Sequence, residues 1–332
     1  MRSGSFWEGV KKVQQEKCRL FTGPFGILPT PFLENGQVDY GQIERMADRL
    51  CQSELSGIVV CGSTSEFVFL SAEENQEIMR VASRAVAGRK KLVCGATAAD
   101  ARTTLGYLEW MAGQGADGAL IAPPYYFRYD GGDVLAFYRK LSQARFPVPI
   151  VAYQIPAFSS PIPLDRMEEL MGLEGIFGLK NSSANIKQIM HQVNLRNLVC
   201  PSFSVLTGTD DALVPCLAGG CDGSFTAVAA VLPEEICGIY AAMRENRLEE
   251  ANRLQNDLLP LIRLADRLPF PVGYKVMAEE AGILHTSYRQ ETSPVNRELI
   301  VQIRKEMRLW MQNRAYKNDR MPWKEGMKIA AD

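Results

Sequence analysis

Between about Phe21 and Thr226 the chain alternates short apolar runs with amphipathic helical stretches, and it does so eight times. The runs are Gly26 to Pro29, Gly57 to Cys61, Lys91 to Ala96, Gly118 to Ala122, Pro149 to Tyr153, Ile176 to Lys180, Ser204 to Thr207 and Gly223 to Thr226. They recur at roughly 20 to 35 residues, enough for one strand and its crossover helix. Continuously apolar strands are covered on both faces, so the pattern predicts parallel strands clothed by helices. The second crossover shows the local grammar. Ser71 followed by Glu74 makes a capping box, Ile78, Val81, Ala82, Ala85 and Val86 form an apolar stripe, and Gly88 stands where a C-cap belongs.

Eight such units can close into a barrel or lie open in a doubly wound sheet. The open sheet normally announces a nucleotide site with a glycine-rich first turn. The first turn here is "LPTPFLENG", which has neither GxGxxG nor GxxxxGK[ST], and its two prolines argue against a helix cradling a phosphate. The expected fold is therefore an α/β (β/α)8 TIM barrel with a C-terminal helical extension. The expected divisions are an N-terminal helical extension over 1–20, the barrel over 21–232, a C-terminal helical region over 233–312 and a polar tail over 313–332.

Composition narrows the partners. With 37 basic and 38 acidic residues the formal net charge is -1, so the chain lacks the basic footprint of a nucleic-acid or anionic-membrane binder. A small-molecule substrate is expected, with no nucleic acid and no membrane. None of the eight cysteines forms a CxxC pair, and Cys61 and Cys94 sit inside apolar runs, which reads as free thiols in a reducing cytoplasm. The N-terminus has no apolar signal region, and no run approaches the ~18 apolar residues of a membrane span. The only histidines are His191 and His285, which makes a multi-histidine metal site improbable, and no metal or organic cofactor is expected.

In barrels of this kind the chemistry gathers at the C-terminal ends of the strands. Lys180 closes the buried run "EGIFGLK". A lysine held there is partly desolvated, which favours the neutral amine a nucleophile needs, although such a lysine can also be a structural ion-pair partner. Tyr153 ends the neighbouring strand, where its phenol can move protons at a carbinolamine or imine, or simply be a core tyrosine with a satisfied hydroxyl. The turn Gly62-Ser63-Thr64 offers backbone N–H groups and two hydroxyls, a set that can hold a carboxylate without a cation.

Taken together, "GILPTPF", "CGSTSEF", "APPYYF", "YQIPA", "GLKNSSAN", "LTGTDD" and "GILH" resemble the dihydrodipicolinate synthase and N-acetylneuraminate lyase family of class I pyruvate-dependent aldolases. The resemblance implies that Lys180 forms a Schiff base with pyruvate, that Tyr153 carries protons, that Ser63 relays them and that Thr64 holds the pyruvate carboxylate. It implies that Tyr126 of "PPYYF" is supplied to a neighbouring subunit's site, in a homotetramer built as a dimer of dimers. The substrate-binding set expected with it is Gly62, Thr64, Phe158, Ser182, Gly208, Asp210, Asp211 and Phe225, with Asp210 and Asp211 in the segment that contacts sugar hydroxyls.

Three positions depart from the family pattern. Ser65 replaces a glycine of the signature, and Ala227 replaces a polar group of the sialic-acid lyases. Phe158 stands where the synthases carry an arginine for the second carboxylate. The expected reaction is thus reversible aldol cleavage of a 2-keto-3-deoxy sugar acid or sialic-acid-like substrate to pyruvate and an aldehyde. Condensation of pyruvate with aspartate semialdehyde is the alternative, a dehydratase variant shares the same imine, and a non-catalytic binding barrel is the reading of another class.

Overall fold

The computed structural model describes residues 19–317. Eight parallel strands close on themselves in sequence order, with β1 hydrogen-bonded to both β2 and β8. They are β1 (Gly23–Ile27), β2 (Gly57–Val60), β3 (Lys91–Gly95), β4 (Gly118–Ile121), β5 (Ile150–Gln154), β6 (Ile176–Asn181), β7 (Ser204–Thr207) and β8 (Gly223–Thr226). The expected TIM barrel is thus observed. Its first strand begins three residues earlier than anticipated, because Gly23 and Pro24 pair with Gly223 and Ser224 to complete the closure. Pro24 is tolerated at the start of a strand, whereas the prolines at 29 and 31 belong to the departing loop.

The crossover helices are α1 (Tyr40–Cys51), α2 (Ala72–Val86), α3 (Ala101–Met111), α4 (Gly131–Gln143), α5 (Met167–Met171), α6 (Ile186–Val199), α7 (Leu213–Ala218) and α8 (Val228–Val231). At α2 the capping box is complete in both directions. Ala87 and Gly88 both take left-handed backbone angles after its last turn, so the C-cap is Ala87, one residue before the glycine the sequence points to. Ile58 and Val60 face the helical layer while Val59 faces the barrel interior, which explains why strand residues of both parities are apolar.

Four more helices follow: α9 (Pro233–Arg244), α10 (Leu248–Asp266), α11 (Val272–Glu280) and α12 (Pro294–Lys317). The first packs back on β1, so the barrel's outer layer runs on to Arg244, and the remaining three build the C-terminal helical region. The anticipated N-terminal helix over 1–20 lies almost wholly outside the described residues. Of the anticipated tail over 313–332, residues 313–317 continue α12 and the rest lies outside the described residues.

One glycine shapes the catalytic end of the barrel. A Cβ on Gly95, the last residue of β3, would lie 1.8 Å from the Cys61 carbonyl oxygen and 3.2 Å from the Gly62 nitrogen. That close approach lets the loop after β2 fold over the strand ends. Gly95→Ala should therefore destabilise the protein by about 1–3 kcal/mol through enforced backbone displacement. Gly106→Ala in α3, where nothing lies within 4 Å, should stabilise it by about 0.5–1 kcal/mol. Urea denaturation of the two variants checks the contrast, and equal stabilities would refute it.

Candidate active site

A cavity of about 430 Å³ opens at the C-terminal ends of β2 to β5. Its floor and walls take in Gly62 and Ser63 after β2, Thr97 after β3, Ala122 after β4 and Tyr153 at the end of β5. Lys180 stands next door on β6. The parallel register pairs the Cα of Tyr153 with that of Lys180, so both side chains point to the same side of the wall. The lysine is 2 % exposed, and its Nζ lies 4.2 Å from the centroid of the Tyr153 ring. The aromatic face attracts a cation there. Tyr153 lines the cavity, whereas Lys180 itself is not among the lining residues.

A glycine makes room for the lysine. A Cβ on Gly208, just beyond β7, would fall 2.6 Å from Lys180 Cε and 1.9 Å from Ser182 Oγ. The Ser182 hydroxyl is buried and has no partner, which leaves it available beside the amine. The anticipated Ser182 and Gly208 thus do converge on Lys180.

The loop after β2 is a tight turn. Gly62 C=O accepts the N–H of Ser65 at 3.0 Å, and Ser63 C=O accepts that of Glu66 at 3.1 Å. The Ser65 hydroxyl donates to the Leu28 carbonyl at 2.6 Å and accepts the Gly62 N–H at 3.2 Å. Ser65 therefore replaces the family glycine with a side chain that ties the loop to β1, and the left-handed angles fall on Cys61 and Glu66 instead. Ser63 and Thr64 occupy the apex. Ser63 faces the cavity, whereas Thr64 is buried and does not line it.

Glu66, a residue that the sequence reading left unassigned, also reaches the cavity wall. Its carboxylate is buried in an ion pair with Lys275 of α11, whose ammonium also lies 4.1 Å from the centroid of the Phe32 ring. Burial pushes the carboxyl of Glu66 up and the amine of Lys275 down, and each partner opposes the other's shift. Removing one member would strand the other's charge, a loss of about 3–5 kcal/mol.

Several anticipated residues do not meet the cavity. Asp210 is buried, its Oδ1 accepting the Val228 N–H at 2.9 Å and its carbonyl accepting from Gln255 of α10 at 3.1 Å. Asp211 is ion-paired with Arg263 of the same helix. Both acids thus tie the loop after β7 to α8 and α10. Phe225 fills the barrel interior, its ring centroid 4.6 Å from that of Phe25. Tyr126 is 88 % exposed with φ +80°, packed edge-on against Phe127, and stands outside the cavity of its own chain. Phe158 does line the cavity, with its ring centroid 5.6 Å from that of Phe270. Phe67, Phe69, Tyr125 and Phe270 complete an aromatic wall that the sequence analysis did not single out. The run Phe67-Val68-Phe69 directly after the signature loop was its one local signal.

Burial raises the Asp210 carboxyl from 3.8 to about 7, against the Val228 N–H and the charge of Lys180. A carboxyl raised on folding stabilises fully below its unfolded value, and that contribution is lost as pH rises through about 7. Asp210→Asn keeps the acceptor for Val228 and removes the titration. Its stability relative to wild type should increase between about pH 4 and pH 7. Denaturation measured across that window tests the assignment, and a pH-independent difference would show that the carboxyl is already ionised at the acid end.

The family model described as "Dihydrodipicolinate synthetase family" matches residues 20–308. The 4-hydroxy-tetrahydrodipicolinate synthase of Zymomonas mobilis is 32% identical over 259 residues, covering 77% of this chain and 87% of its own. That of Methanosarcina mazei is 28% identical over 278 residues, covering 83% and 94%. Among solved structures, dihydrodipicolinate synthase from Aquifex aeolicus superposes with a TM-score of 0.79 at 27% identity, covering 86% of this chain and 98% of the other. With the barrel, the strand-end lysine and tyrosine and the signature loop in place, the chain belongs to the dihydrodipicolinate synthetase family, whose members are class I pyruvate aldolases and carbon–carbon lyases.

Proposed function

We propose that this enzyme binds pyruvate as a Schiff base on Lys180 and uses it to make or break a carbon–carbon bond with an aldehyde. The observation that carries the reading is the buried amine of Lys180 held over the Tyr153 ring beside the strand-end cavity. The amine attacks C2 of pyruvate, and loss of water from the carbinolamine leaves a protonated imine. That cation draws electrons from C3, so a C3 proton leaves to give the enamine. The enamine carbon attacks the aldehyde carbon, the aldehyde oxygen takes up a proton, and water releases the 4-hydroxy-2-oxo acid and restores Lys180.

Tyr153 is the proton carrier nearest the imine, and Ser63 stands on the same cavity wall to relay to it. The apex N–H groups of Ser63 and Thr64 have no partner among the described residues, which supports a role in holding the pyruvate carboxylate. Tyr126 supports assembly of two copies. A tyrosine at φ +80° is strained by about 1–3 kcal/mol and fully outside its own site, as suits a side chain lent to a neighbour. The free thiols of the seven described cysteines fit a reducing compartment, and no helix among the described residues is long and apolar enough to cross a membrane.

A second specific reading is 4-hydroxy-tetrahydrodipicolinate synthesis, favoured by the names of the curated relatives. The sugar-acid reading loses support from Asp210 and Asp211, whose carboxylates are engaged elsewhere.

Borohydride reduction in the presence of pyruvate should add one reduced pyruvate to Lys180, detected by mass spectrometry, and Lys180→Ala should show none. An adduct on another lysine would overturn the site. Tyr153→Phe should still bind pyruvate while kcat falls by roughly 10²–10⁴. Unchanged turnover would reduce Tyr153 to a packing residue.

A further inference from the structure

Above Tyr153 the cavity wall is built from Phe67, Phe69, Tyr125, Ile155, Phe158 and Phe270. Two of the contacts are ring on ring. Phe67 meets Tyr125 edge to face at 5.9 Å, and Phe158 lies tilted against Phe270 at 5.6 Å. Phe69, Phe158 and Phe270 remain 43, 54 and 41 % exposed at the mouth, an apolar surface that gains by being covered.

The wall holds no arginine or lysine among its described residues. Its one carboxylate, Glu66, is already paired with Lys275, so that pair offers no free cation to a second carboxylate on a substrate. Two of the neutral polar groups are engaged. The Thr97 hydroxyl accepts the Ala122 N–H at 2.9 Å, and the Ser159 hydroxyl donates to the Ile155 carbonyl at 3.3 Å. Gln290 presents a buried oxygen without a partner, and the Ser63, Tyr125 and Tyr153 hydroxyls are the other neutral polar groups on the wall. A carboxylated arm would therefore bury a charge without a free counter-ion, and a polyhydroxylated arm would set hydroxyls against the aromatic faces that make up most of the upper wall.

We infer that the aldehyde partner is an apolar aromatic aldehyde, its ring seated between Phe158 with Phe270 on one side and Phe67 with Tyr125 on the other. This inference rests on the Schiff-base reading above, with the aldehyde's carbonyl carbon meeting the enamine beside Tyr153 and its oxygen becoming the C4 hydroxyl. The volume of about 430 Å³ takes pyruvate and a single ring together.

The test compares kcat/KM for pyruvate consumption with benzaldehyde, glyceraldehyde and aspartate semialdehyde. Benzaldehyde should lead the other two by about tenfold or more, and the benzaldehyde-to-glyceraldehyde ratio should fall by about tenfold in Phe158→Ala. Saturation-transfer NMR with benzyl alcohol, recorded without pyruvate, should show ring contact in wild type. It reads the aromatic wall whether or not an imine forms. Absence of a borohydride adduct together with benzyl alcohol contact removes the Schiff-base reading and leaves the aromatic site. An adduct together with a preference for glyceraldehyde or aspartate semialdehyde overturns the inference and leaves the Schiff-base reading. No benzyl alcohol contact also overturns it, since the aromatic wall then does not take up a ring.

Discussion

The hydrogen-bonded register of β5 on β6 is the constraint from which the site follows. Pairing Tyr153 with Lys180 fixes a phenol and an amine on adjacent inward positions, and neither residue has freedom to leave. A slip of one residue would turn every side chain of the strand to its other face. Closure of the barrel protects against this, because each strand is held on both edges. The placement of this pair is thus set by backbone hydrogen bonds made below it, and the glycine at 208 only has to stay out of the way.

The loop that completes the site is held from two directions. Ser65 anchors it to β1 from beneath, and Lys275 reaches Glu66 from the C-terminal helices. Arg289 extends the same clasp. Its guanidinium donates to the Phe69 and Gly36 carbonyls, pairs with Glu74 and lies 4.4 Å from the Phe32 ring centroid. The C-terminal region therefore does more than cover one side of the barrel. It fixes the loops after β1 and β2 against each other, so the Gly62-Ser63-Thr64 turn is ordered before any substrate arrives.

The two aspartates after β7 show how a motif changes meaning in three dimensions. Read along the chain, Gly208, Asp210 and Asp211 look like polar ligands for a substrate. In the fold, Asp210 is closed over by Gln255 and Val228, and Asp211 is drawn outward to Arg263. Meanwhile Phe158, read as a missing arginine, gains a partner ring from Phe270, more than a hundred residues away. The polarity of the site is consequently set by aromatic residues from three separate loops and a C-terminal helical region.

The sequence by itself determined the barrel, its eight strands, the capping box of α2 and the positions of Lys180, Tyr153 and the Ser63 loop. Each of these is written in local periodicity, a cap or a strand end, signals that span a few residues and survive without knowledge of distant contacts. Only the tertiary structure decided that Gly23 and Pro24 belong to β1, since their partners are on β8. It alone paired Glu66 with Lys275, withdrew Asp210, Asp211 and Phe225 from the cavity, and raised Phe67, Tyr125, Phe158 and Phe270 around it. The reason is physical. Whether a charged or aromatic side chain lines a cavity depends on which donors, acids or rings the closed barrel and its C-terminal helices bring within reach, and no local pattern encodes that reach.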